Sequence, residues 1–437
     1  MISPFRRQTP SPRTARLGSA VDRMPRYCVI GAGAAGLAAL ECLQRVGSAV
    51  DCFETTDRVG GHWNTDYESL HLITSRNVSG YAGFPMPEKY PLFPSRDQML
   101  EYIVQFAESE ALLPLIKFGT GVEQLRPKEG RGASGWIVVT SSGQELFYDG
   151  VVVATGHLWD PVLPSCGADF TGQSLHSSQY TKPSDVCGRR VLVVGAGNSG
   201  CDIASDLALH GRSVMVAVRH GQVFQPKSLF GRARGELGWV RRLPLPLQEV
   251  VVRWLVRVSV GDYQEYPNMQ PPISRNLNKQ LPVVNSQLLY WIQHGRIEML
   301  RAPVALSCGR AVFADDQVRD VDSVIWATGY KVSLPFLEPK LQLGQRGIPL
   351  RTAAMTLPIG LAGLYFIGLV APRGAQLPVY SAQAEVIARL MALQRDSVVP
   401  VAGLFEGAPD DRLDLLRVEW DRELRRTLRT VERLEKS

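Results

Sequence analysis

The chain has 437 residues and a net charge of +6 at pH 7, with 45% hydrophobic and 21% charged residues. This is the composition of a soluble globular protein, and no apolar run approaches the roughly 20 residues that cross a bilayer. The seven cysteines are scattered without a CxxC pair. They therefore argue against a dithiol centre or a structural zinc, no metal site is predicted, and a reducing compartment, the cytoplasm, is expected.

Much of the positive charge lies at the N-terminus. Residues 1–24 contain five arginines and one aspartate, which supply +4 of the net charge of +6. The rest of the chain is close to neutral, so no nucleic-acid partner is expected. The arm is rich in Ser, Thr, Pro and Arg and lacks an apolar core, which predicts a disordered basic tail rather than a secretory signal.

A first dinucleotide-binding pattern follows the tail. Arg26–Ile30 is an apolar strand, and the loop GAGAAG at residues 31–36 leads into a predicted helix. Glycines there permit a tight turn and close approach to a pyrophosphate, which the helix N-terminus attracts. The next strand ends at Glu54, 23 positions after Gly31. An acid at that spacing binds ribose hydroxyls and repels a 2′-phosphate, so the loop predicts FAD or NAD rather than NADP.

Two glycines and a tryptophan come soon after the acid, at Gly60, Gly61 and Trp63. Glycines let the backbone approach a flat ring system, and a tryptophan can form a wall beside it. The order GxGxxG, Glu, GGxW resembles that of the two-nucleotide flavoprotein monooxygenases. The resemblance implies that FAD binds here. The residues expected to bind it are Gly31, Gly33, Ala35, Gly36, Glu54, Gly60, Gly61, Trp63 and Val122.

A second glycine loop, GAGNSG, occupies residues 195–200. Its following strand, residues 213–218, ends in Arg219, 24 positions after Gly195, where the first half has Glu54. An arginine at the ribose position can pair with a 2′-phosphate, so this loop predicts NADPH. The residues expected to bind NADP are Gly195, Gly197, Asn198, Ser199, Gly200, Arg219, Lys227, Thr328 and Gly329.

The string FTGQSLHSSQY at residues 170–180 fits the pattern FxGxxxHxxxY through Phe170, Gly172, His176 and Tyr180. It resembles the signature of class B flavin monooxygenases, and GNSGCDIA at 197–204 is similar to the second loop of the flavin-containing monooxygenases. With the ATG segments at 154–156 and 327–329, the resemblance extends over residues ~25 to ~395. It implies a hinge role for His176 rather than that of a general base.

The order of these motifs predicts an α/β fold with two Rossmann-like, doubly wound dinucleotide-binding domains, the NADPH domain being inserted into the FAD domain. The expected boundaries are 25–185 for the first part of the FAD domain, 186–324 for the NADPH domain and 325–437 for the second part, which ends in an amphipathic helix. Residues 243–260 predict another amphipathic helix, with Arg253 and Arg257 on one face. We expect it to pack on the NADPH domain rather than lie on a membrane.

The resemblance implies the reaction cycle. NADPH reduces FAD, the reduced flavin and dioxygen form a flavin hydroperoxide, and a nucleophilic nitrogen or sulfur of a small organic substrate receives one oxygen atom. The sequence does not indicate an oligomeric state. A pyridine nucleotide–disulfide reductase shares the two-loop layout but needs a cysteine pair near the flavin, and the chain has none.

One segment departs from the pattern. Relatives that oxygenate amines and sulfides have an asparagine beside the flavin where this chain, counted back from residues 84–87, has Ile73. Thr74, Ser75 and Asn77 are the candidates to replace it. The absence of this asparagine also leaves open another function, that of an NADPH oxidase that releases hydrogen peroxide instead of oxygenating a substrate.

Two further reactions stay open. The plant-type indole-3-pyruvate monooxygenases also lack that asparagine and carry an RRG string, which Pro372-Arg373-Gly374 partly resembles. Arg373 is therefore a candidate clamp for the carboxylate of an α-keto acid that would be decarboxylated. Baeyer–Villiger oxidation of a ketone is less favoured, because its signature usually ends in Trp, whereas here it ends in Tyr180.

Overall fold

The structure is a computed structural model. It describes residues 24–128, 135–237, 243–262, 265–274, 280–338, 341–395, 401–405 and 409–436. The predicted basic tail, apart from Met24, lies outside these residues.

A first parallel sheet carries the first glycine loop. Its strands lie in the spatial order Leu364–Phe366, Gly150–Val153, Arg26–Ile30, Ala49–Phe53 and Ile116–Lys117. The two central strands, RYCVI and GVVV, are almost entirely buried, as expected for a parallel sheet covered on both faces. Because Leu364–Phe366 joins this sheet from far along the chain, the first unit is interrupted in sequence by the second.

A second parallel sheet carries the second glycine loop. Its strands lie in the order Ile297–Arg301, Ser213–Val218, Arg190–Val194, Ser323–Trp326 and Gln173–His176. The predicted α/β fold with two doubly wound units, one inserted into the other, is therefore confirmed.

The second sheet includes strands that cross the domain boundaries predicted at residues 186 and 324. Gln173–His176, assigned to the first unit from the sequence, is the edge strand of the second sheet, and Ser323–Trp326 lies wholly within that sheet. The reason is that QSLH is short and polar, so its sequence carries no apolar run that would assign it to a sheet. The second unit thus begins by residue 173 and extends to residue 326.

The other described strands form smaller sheets. Two are three-stranded and antiparallel: Val122–Pro127 with Trp136–Thr140 and Glu145–Tyr148, and Pro303–Ser307 with Arg310–Phe313 and Val318–Asp320. The two-stranded pairs are Phe224–Gln225 with Val283–Val284, Ser228–Leu229 with Arg232–Ala233, Asp160–Pro161 with Tyr330–Lys331, Arg351–Thr352 with Leu357–Pro358, and Ala371–Pro372 with Asp414–Leu415.

The α-helices cover the sheets. Within the described residues they are Ala34–Arg45, Arg76–Ser79, Arg96–Ser109, Asn198–Leu209, Leu245–Val260, Gln287–Gln293, Leu377–Arg395 and Arg417–Leu434. Helix Leu377–Arg395 packs along helix Ala34–Arg45, which follows the first glycine loop. Within the described residues, no helix combines the length and hydropathy needed to cross a membrane.

Both predicted amphipathic helices form. Arg417–Leu434 buries Trp420, Thr427 and Val431, which lie on one face at helical spacing. Leu245–Val260 buries Leu255 and Val260, whereas Trp254 is 60% exposed. Val260 and Val256 belong to the second unit's core, so this helix packs on the second unit, as predicted.

Candidate cofactor sites and active site

The first glycine loop is shaped by close backbone contacts. Gly31 has φ 102°, and its N–H donates to the carbonyl of Phe53 at 2.8 Å. A Cβ on Gly36 would lie 1.9 Å from the carbonyl oxygen of Gly31, so only glycine allows the helix to start this close to the strand. Helix Ala34–Arg45 begins without a side-chain cap, which leaves its first N–H groups available to a phosphate.

Glu54 lies directly beside this loop. Its carboxylate is 7% exposed and accepts a hydrogen bond from the backbone N–H of Ala32 at 2.8 Å. The other oxygen accepts from the N–H of Thr56 at 2.9 Å. The acid predicted to bind ribose is thus held at the carboxyl end of its strand, next to the phosphate-binding turn.

The remaining predicted FAD residues converge on the same loop. The N–H of Gly60 donates to the carbonyl of Ala32 at 3.1 Å, and a Cβ on Gly61 would lie 3.2 Å from the Cα of Gly33. Trp63 follows in the short helix Gly61–Asn64 and packs against the first core. Val122 begins a strand two residues after Thr120, whose N–H donates to the carbonyl of Glu54 at 2.9 Å.

The second glycine loop repeats this geometry. Gly195 has φ 110° and donates to the carbonyl of Ala217 at 2.9 Å, and a Cβ on Gly200 would lie 2.1 Å from the carbonyl oxygen of Gly195. In both units the ATG segment packs against the first glycine. A Cβ on Gly31 would meet the carbonyl oxygen of Ala154 at 2.8 Å, and one on Gly195 would meet that of Ala327 at 2.3 Å.

The surroundings of the second loop are polar. The Asn198 amide oxygen accepts from the N–H of Val284 at 2.9 Å. Helix Asn198–Leu209 also begins without a side-chain cap, and a Cβ on Gly197 would meet nothing within 4 Å. The space in front of this helix is therefore open to a pyrophosphate.

The two predicted cations of the NADP site have different environments. Arg219 is exposed at the end of strand Ser213–Val218, at the position equivalent to Glu54, and makes no ion pair with a carboxylate in the described part of the chain. Lys227 instead donates to the carbonyl of His71 at 3.4 Å, and burial lowers its pKa while Asp202 raises it. Its predicted contact with NADP stays a prediction.

The signature string holds the second unit's edge strand in place. His176 is 2% exposed, its Nδ1 accepts from the N–H of Ser178 at 3.2 Å, and its Nε2 lies 3.2 Å from the carbonyl oxygen of Gly329. With Nδ1 as an acceptor, the ring proton lies on Nε2 and can be donated to Gly329, and burial lowers the pKa of the ring. Its ring packs edge-on against Tyr330. The contacts agree with a positioning role for His176.

Gly329 and Thr328 lie between the units rather than in the second glycine loop. The N–H of Val162 donates to the carbonyl of Gly329 at 3.0 Å, and the Thr328 hydroxyl donates to the carbonyl of Val162. Elsewhere in the signature, a Cβ on Gly172 would lie 2.5 Å from the carbonyl oxygen of Asp322. Phe170 packs against the second unit's core. These contacts explain the spacing of the string.

The segment that departs from the family pattern contacts residues 228–237 of the second unit, which are called the insertion below. The hydroxyl of Ser75 and the amide of Asn77 both donate to Oε1 of Glu236, the latter at 3.1 Å. Thr74 is hydrogen-bonded to Ser79 at 2.7 Å, and Ile73 is 36% exposed. The three candidates to replace the asparagine are therefore already held by the protein.

Arg373 lies in the loop before helix Leu377–Arg395, where its N–H donates to the carbonyl of Leu415 at 3.0 Å. Burial lowers the pKa of its guanidinium, and the carboxylates of Asp414 and Glu419 raise it. Burial lowers the pKa of a second arginine, Arg234, to about 10, and the charge of Arg373 lowers it further.

A cavity of about 750 Å³ opens between the two units. Helices Asn198–Leu209 and Gln287–Gln293 form one wall, and residues 69–71 and 91–93 form the other. Its lining includes the charged residues Asp202, Asp206 and Lys227, whereas Arg219 is not among the described residues that line it.

Comparison with known proteins identifies the family. The model of the flavin-binding monooxygenase-like (FMO-like) family matches residues 24–399. This chain belongs to that family. It is an FAD-dependent monooxygenase that uses NADPH, so the predicted family, cofactors and enzyme class are confirmed.

Curated relatives of this monooxygenase include "Dimethylaniline monooxygenase [N-oxide-forming] 2" of Macaca mulatta, which is 32% identical over 84% of this chain and 73% of its own length. "Flavin-containing monooxygenase 2" of Homo sapiens is also 32% identical, with the same coverage. Among solved structures, a flavin-containing monooxygenase from Stenotrophomonas maltophilia is similar with a TM-score of 0.64 and 21% identity, over 84% of this chain and 98% of that one. At this identity the likeness supports the fold.

A further solved structure, cyclohexanone monooxygenase from Rhodococcus sp. Phi1 bound to NADP⁺, is similar with a TM-score of 0.66 and 17% identity, over 85% of each chain. The monooxygenase described here also meets the physical requirements for two dinucleotides. It has two uncapped helix N-termini, glycines wherever a Cβ would obstruct the turn, and an acid in one half matched by a base in the other.

Several contacts of the monooxygenase were not predicted from its sequence. Glu236 and Arg234 belong to the insertion, whose sequence contains no recognisable motif. Asp202 and Asp206 were also missed. They accept from the hydroxyls of Tyr67 at 2.9 Å and Tyr180 at 2.7 Å. Their i, i+4 spacing within the second glycine-loop helix places them on one face and was a usable signal.

Proposed function

We propose that this monooxygenase transfers one oxygen atom of O₂ to the nitrogen or sulfur of a small organic molecule. The observation that carries the proposal is the matched pair of dinucleotide loops with opposite charges at their ribose positions, Glu54 and Arg219. The names of the curated relatives, which are N-oxide-forming, support nitrogen as an acceptor. When bound, FAD supplies the transfer of electrons from NADPH to dioxygen and the reactive oxygen.

The chain's own side chains bind and orient. The N–H groups at the start of helix Ala34–Arg45 hold the FAD pyrophosphate, and Glu54 accepts from its ribose. The start of helix Asn198–Leu209 holds the NADP pyrophosphate, and Arg219 pairs with its 2′-phosphate. His176, through Gly329, fixes the edge of the NADPH unit against the segment that leads back to the FAD unit.

Segment 73–77 is expected to form part of the active-site surface, and its side chains differ there from those of the relatives. An apolar side chain stands where relatives have an amide, and the nearest polar groups are hydrogen-bonded to Glu236 or Ser79. If this segment lies beside the flavin, entry of water there would release the bound oxygen as hydrogen peroxide. The alternative that an experiment must exclude is uncoupled NADPH oxidation, in which oxygen leaves as hydrogen peroxide and no substrate is oxygenated.

A panel of four compounds tests the proposal. The FAD-loaded protein is given NADPH, air and, separately, N,N-dimethylaniline, thioanisole, phenylpyruvate or cyclohexanone, and the products and hydrogen peroxide are quantified. We expect an N-oxide or a sulfoxide at yields near one per NADPH. Phenylacetate with CO₂, formed with catalase present to remove free peroxide, would instead establish α-keto acid decarboxylation, and a lactone would establish Baeyer–Villiger chemistry. Peroxide alone would overturn the proposal.

We also propose that the enzyme works in the cytoplasm and that its partners are NADPH, dioxygen and a small substrate. The seven cysteines of the sequence support a reducing compartment, because all of them are free thiols. Fractionation of cells that express the full chain tests this proposal. Recovery in the high-speed pellet would contradict it.

A further inference from the structure

One short segment of the first unit is anchored in the cores of both units. Trp63 and Leu72 pack against the hydrophobic core of the first unit. Between them along the chain, Tyr67 is 6% exposed and belongs to the core of the second unit, against which Leu70 also packs. The chain therefore leaves the first core after Trp63, enters the second core, and returns to the first by Leu72.

The hydroxyl of Tyr67 is bonded to the helix that follows the second glycine loop. It donates to Oδ2 of Asp202 at 2.9 Å, and Asp202 lies one turn into helix Asn198–Leu209. From within the second unit, the amide of Asn285 donates to Oδ1 of Asp202 at 2.6 Å. Burial and the charge of Asp202 raise the pKa of the Tyr67 hydroxyl, so it remains a donor throughout the neutral range. One carboxylate of this helix is therefore hydrogen-bonded to both units.

Asn285 connects this carboxylate to the second glycine loop. Its Oδ1 accepts from the N–H of Leu288 at 2.9 Å, near the start of helix Gln287–Gln293. The adjacent N–H of Val284 donates to Oδ1 of Asn198 at 2.9 Å, and Asn198 is one of the residues predicted to bind NADP. The contact of Tyr67 is thus continuous with the hydrogen bonds that hold the start of the NADP-loop helix.

At its other end, the segment is fixed to the FAD loop. The N–H of Gly60 donates to the carbonyl of Ala32 at 3.1 Å. The short helix Gly61–Asn64 follows directly, and the amide of its last residue donates to the carbonyl of its first residue at 3.1 Å. This helix contains Trp63, which is predicted to form a wall beside the flavin. Only a short, hydrogen-bonded stretch of chain therefore separates Tyr67 from the predicted flavin contact.

We propose that Tyr67 is a positioning residue for the reduction of FAD by NADPH, in which a hydride leaves NADPH to give NADP⁺ and is accepted by oxidised FAD to give reduced FAD. Through Asp202, Tyr67 sets the place of the NADP-loop helix relative to the flavin. Such placement matters because reacting atoms must approach to about 3–3.5 Å, and an error of about 1 Å can cost about 100-fold in rate. The inference concerns reduction alone, so it does not depend on which atom of a substrate is oxygenated.

Anaerobic rapid mixing of the FAD-loaded enzyme with NADPH tests the proposal. In Tyr67→Phe we expect the limiting rate of flavin reduction to fall about tenfold, because the helix is no longer tied to the segment beside the flavin. The dissociation constant of NADPH should change little, because the glycine loop and Arg219 are intact. Tyr266→Phe is the matched control and should keep the wild-type rate. Tyr266 is 7% exposed in the same core, and its hydroxyl donates to the carbonyl of Val260, within the second unit.

A spectroscopic measurement without turnover separates positioning from folding. NADP⁺ bound beside the flavin perturbs the absorption of oxidised FAD, and calorimetry gives the concentration of NADP⁺ that saturates each variant. At saturation we expect a smaller perturbation in Tyr67→Phe than in the wild type, and an unchanged one in Tyr266→Phe. Both variants remove a buried hydroxyl and should lose similar stability in urea. A general loss of stability therefore cannot produce the difference.

The alternatives give different results. If Tyr67→Phe is destabilised like Tyr266→Phe but retains the wild-type rate and spectral perturbation, the role of Tyr67 is only structural and the proposal is wrong. If the dissociation constant of NADPH rises while the limiting rate is unchanged, Tyr67 serves binding, which also overturns the proposal. If Tyr67→Phe does not retain FAD, Asp202→Asn decides by the same two measurements. It loses the charge and one of the two oxygens that accept from Tyr67 and Asn285, so wild-type values in this variant would overturn the proposal.

Discussion

The hydroxyl of Tyr180 donates a 2.7 Å hydrogen bond to Oδ2 of Asp206, and these residues are 0% and 7% exposed, respectively. This contact links the last residue of the signature string to the second glycine-loop helix. Ser69, from the first unit, also donates to Oδ2 of Asp206, at 3.1 Å. A single buried carboxylate therefore joins the signature, the NADPH unit and the FAD unit.

Replacing Tyr180 by Phe should destabilise the protein. The change removes one donor from a buried carboxylate, which costs about 1–3 kcal/mol. We expect a lower urea midpoint for the apoprotein. Tyr290→Phe is the control, since Tyr290 is 51% exposed on a neighbouring helix. Equal midpoints for the two variants would show that the Asp206 contact contributes nothing specific.

Two glycines of the second loop should respond differently to alanine. In Gly200→Ala the added methyl would lie 2.1 Å from the Gly195 carbonyl oxygen, so the helix must move and the variant should lose about 1–3 kcal/mol of stability. In Gly197→Ala the methyl meets nothing within 4 Å, and stability should stay near that of the wild type.

The same Gly197→Ala variant should nevertheless bind NADP⁺ roughly tenfold more weakly, because its methyl occupies space that the pyrophosphate needs. Calorimetric titration with NADP⁺ measures this, and FAD content serves as the internal control. Unchanged affinity for NADP⁺ would place the pyrophosphate somewhere other than against this loop.

Arg219→Gln should convert a preference for NADPH into near equality with NADH. Loss of a charge-assisted pair with the 2′-phosphate costs roughly 1.5–3 kcal/mol, which corresponds to about a 10- to 150-fold rise in the KM for NADPH. The KM for NADH should change little, because NADH has no 2′-phosphate. Arg189→Gln, at another exposed arginine of the same unit, is the matched control. A parallel loss with both nucleotides would argue against a 2′-phosphate contact.

His176 predicts a specific pH dependence of stability. Burial lowers its folded-state pKa below the ordinary value of 6.5, and its Nδ1 already accepts the N–H of Ser178. Between the lowered pKa and 6.5, the unfolded chain binds more protons than the folded one, so stability falls as pH decreases through this window. The contribution is complete above pH 6.5.

Melting temperatures at pH 5.5 and 7.5 test this expectation. His176→Gln should lower the melting temperature at both values but show a smaller difference between them than the wild type. His294→Gln removes an exposed histidine and serves as the control. His157, whose pKa burial also lowers, remains in every variant and contributes equally. If the melting temperature changes by the same amount between pH 5.5 and 7.5 in His176→Gln and in the wild type, His176 is not the source of the pH dependence.

The sequence predicted the parts of the site that local rules determine. A glycine loop must follow a strand and open a helix, so residues 31–36 and 195–200 were recognisable without knowledge of the fold. Glu54 and Arg219 were predictable for a similar reason, because each ends the next strand at a set distance. In the structure each residue directly follows its strand, Ala49–Phe53 or Ser213–Val218.

Contacts across long sequence separations were not predictable. Glu236 lies 161 positions from Ser75, and no periodicity marks the insertion that carries it. The edge strand Gln173–His176 was assigned to the wrong unit because its strand character comes from pairing with Ser323–Trp326 rather than from its own composition.

Incorporation of labelled oxygen tests the central claim most directly. The FAD-loaded enzyme is supplied with NADPH and ¹⁸O₂ in unlabelled water, with thioanisole and phenylthioacetic acid as sulfur acceptors and N,N-dimethylaniline as the nitrogen acceptor. A monooxygenase should give products that carry one ¹⁸O atom, in amounts close to the NADPH consumed. NADPH oxidation that yields labelled hydrogen peroxide and no labelled product from any acceptor would contradict the account.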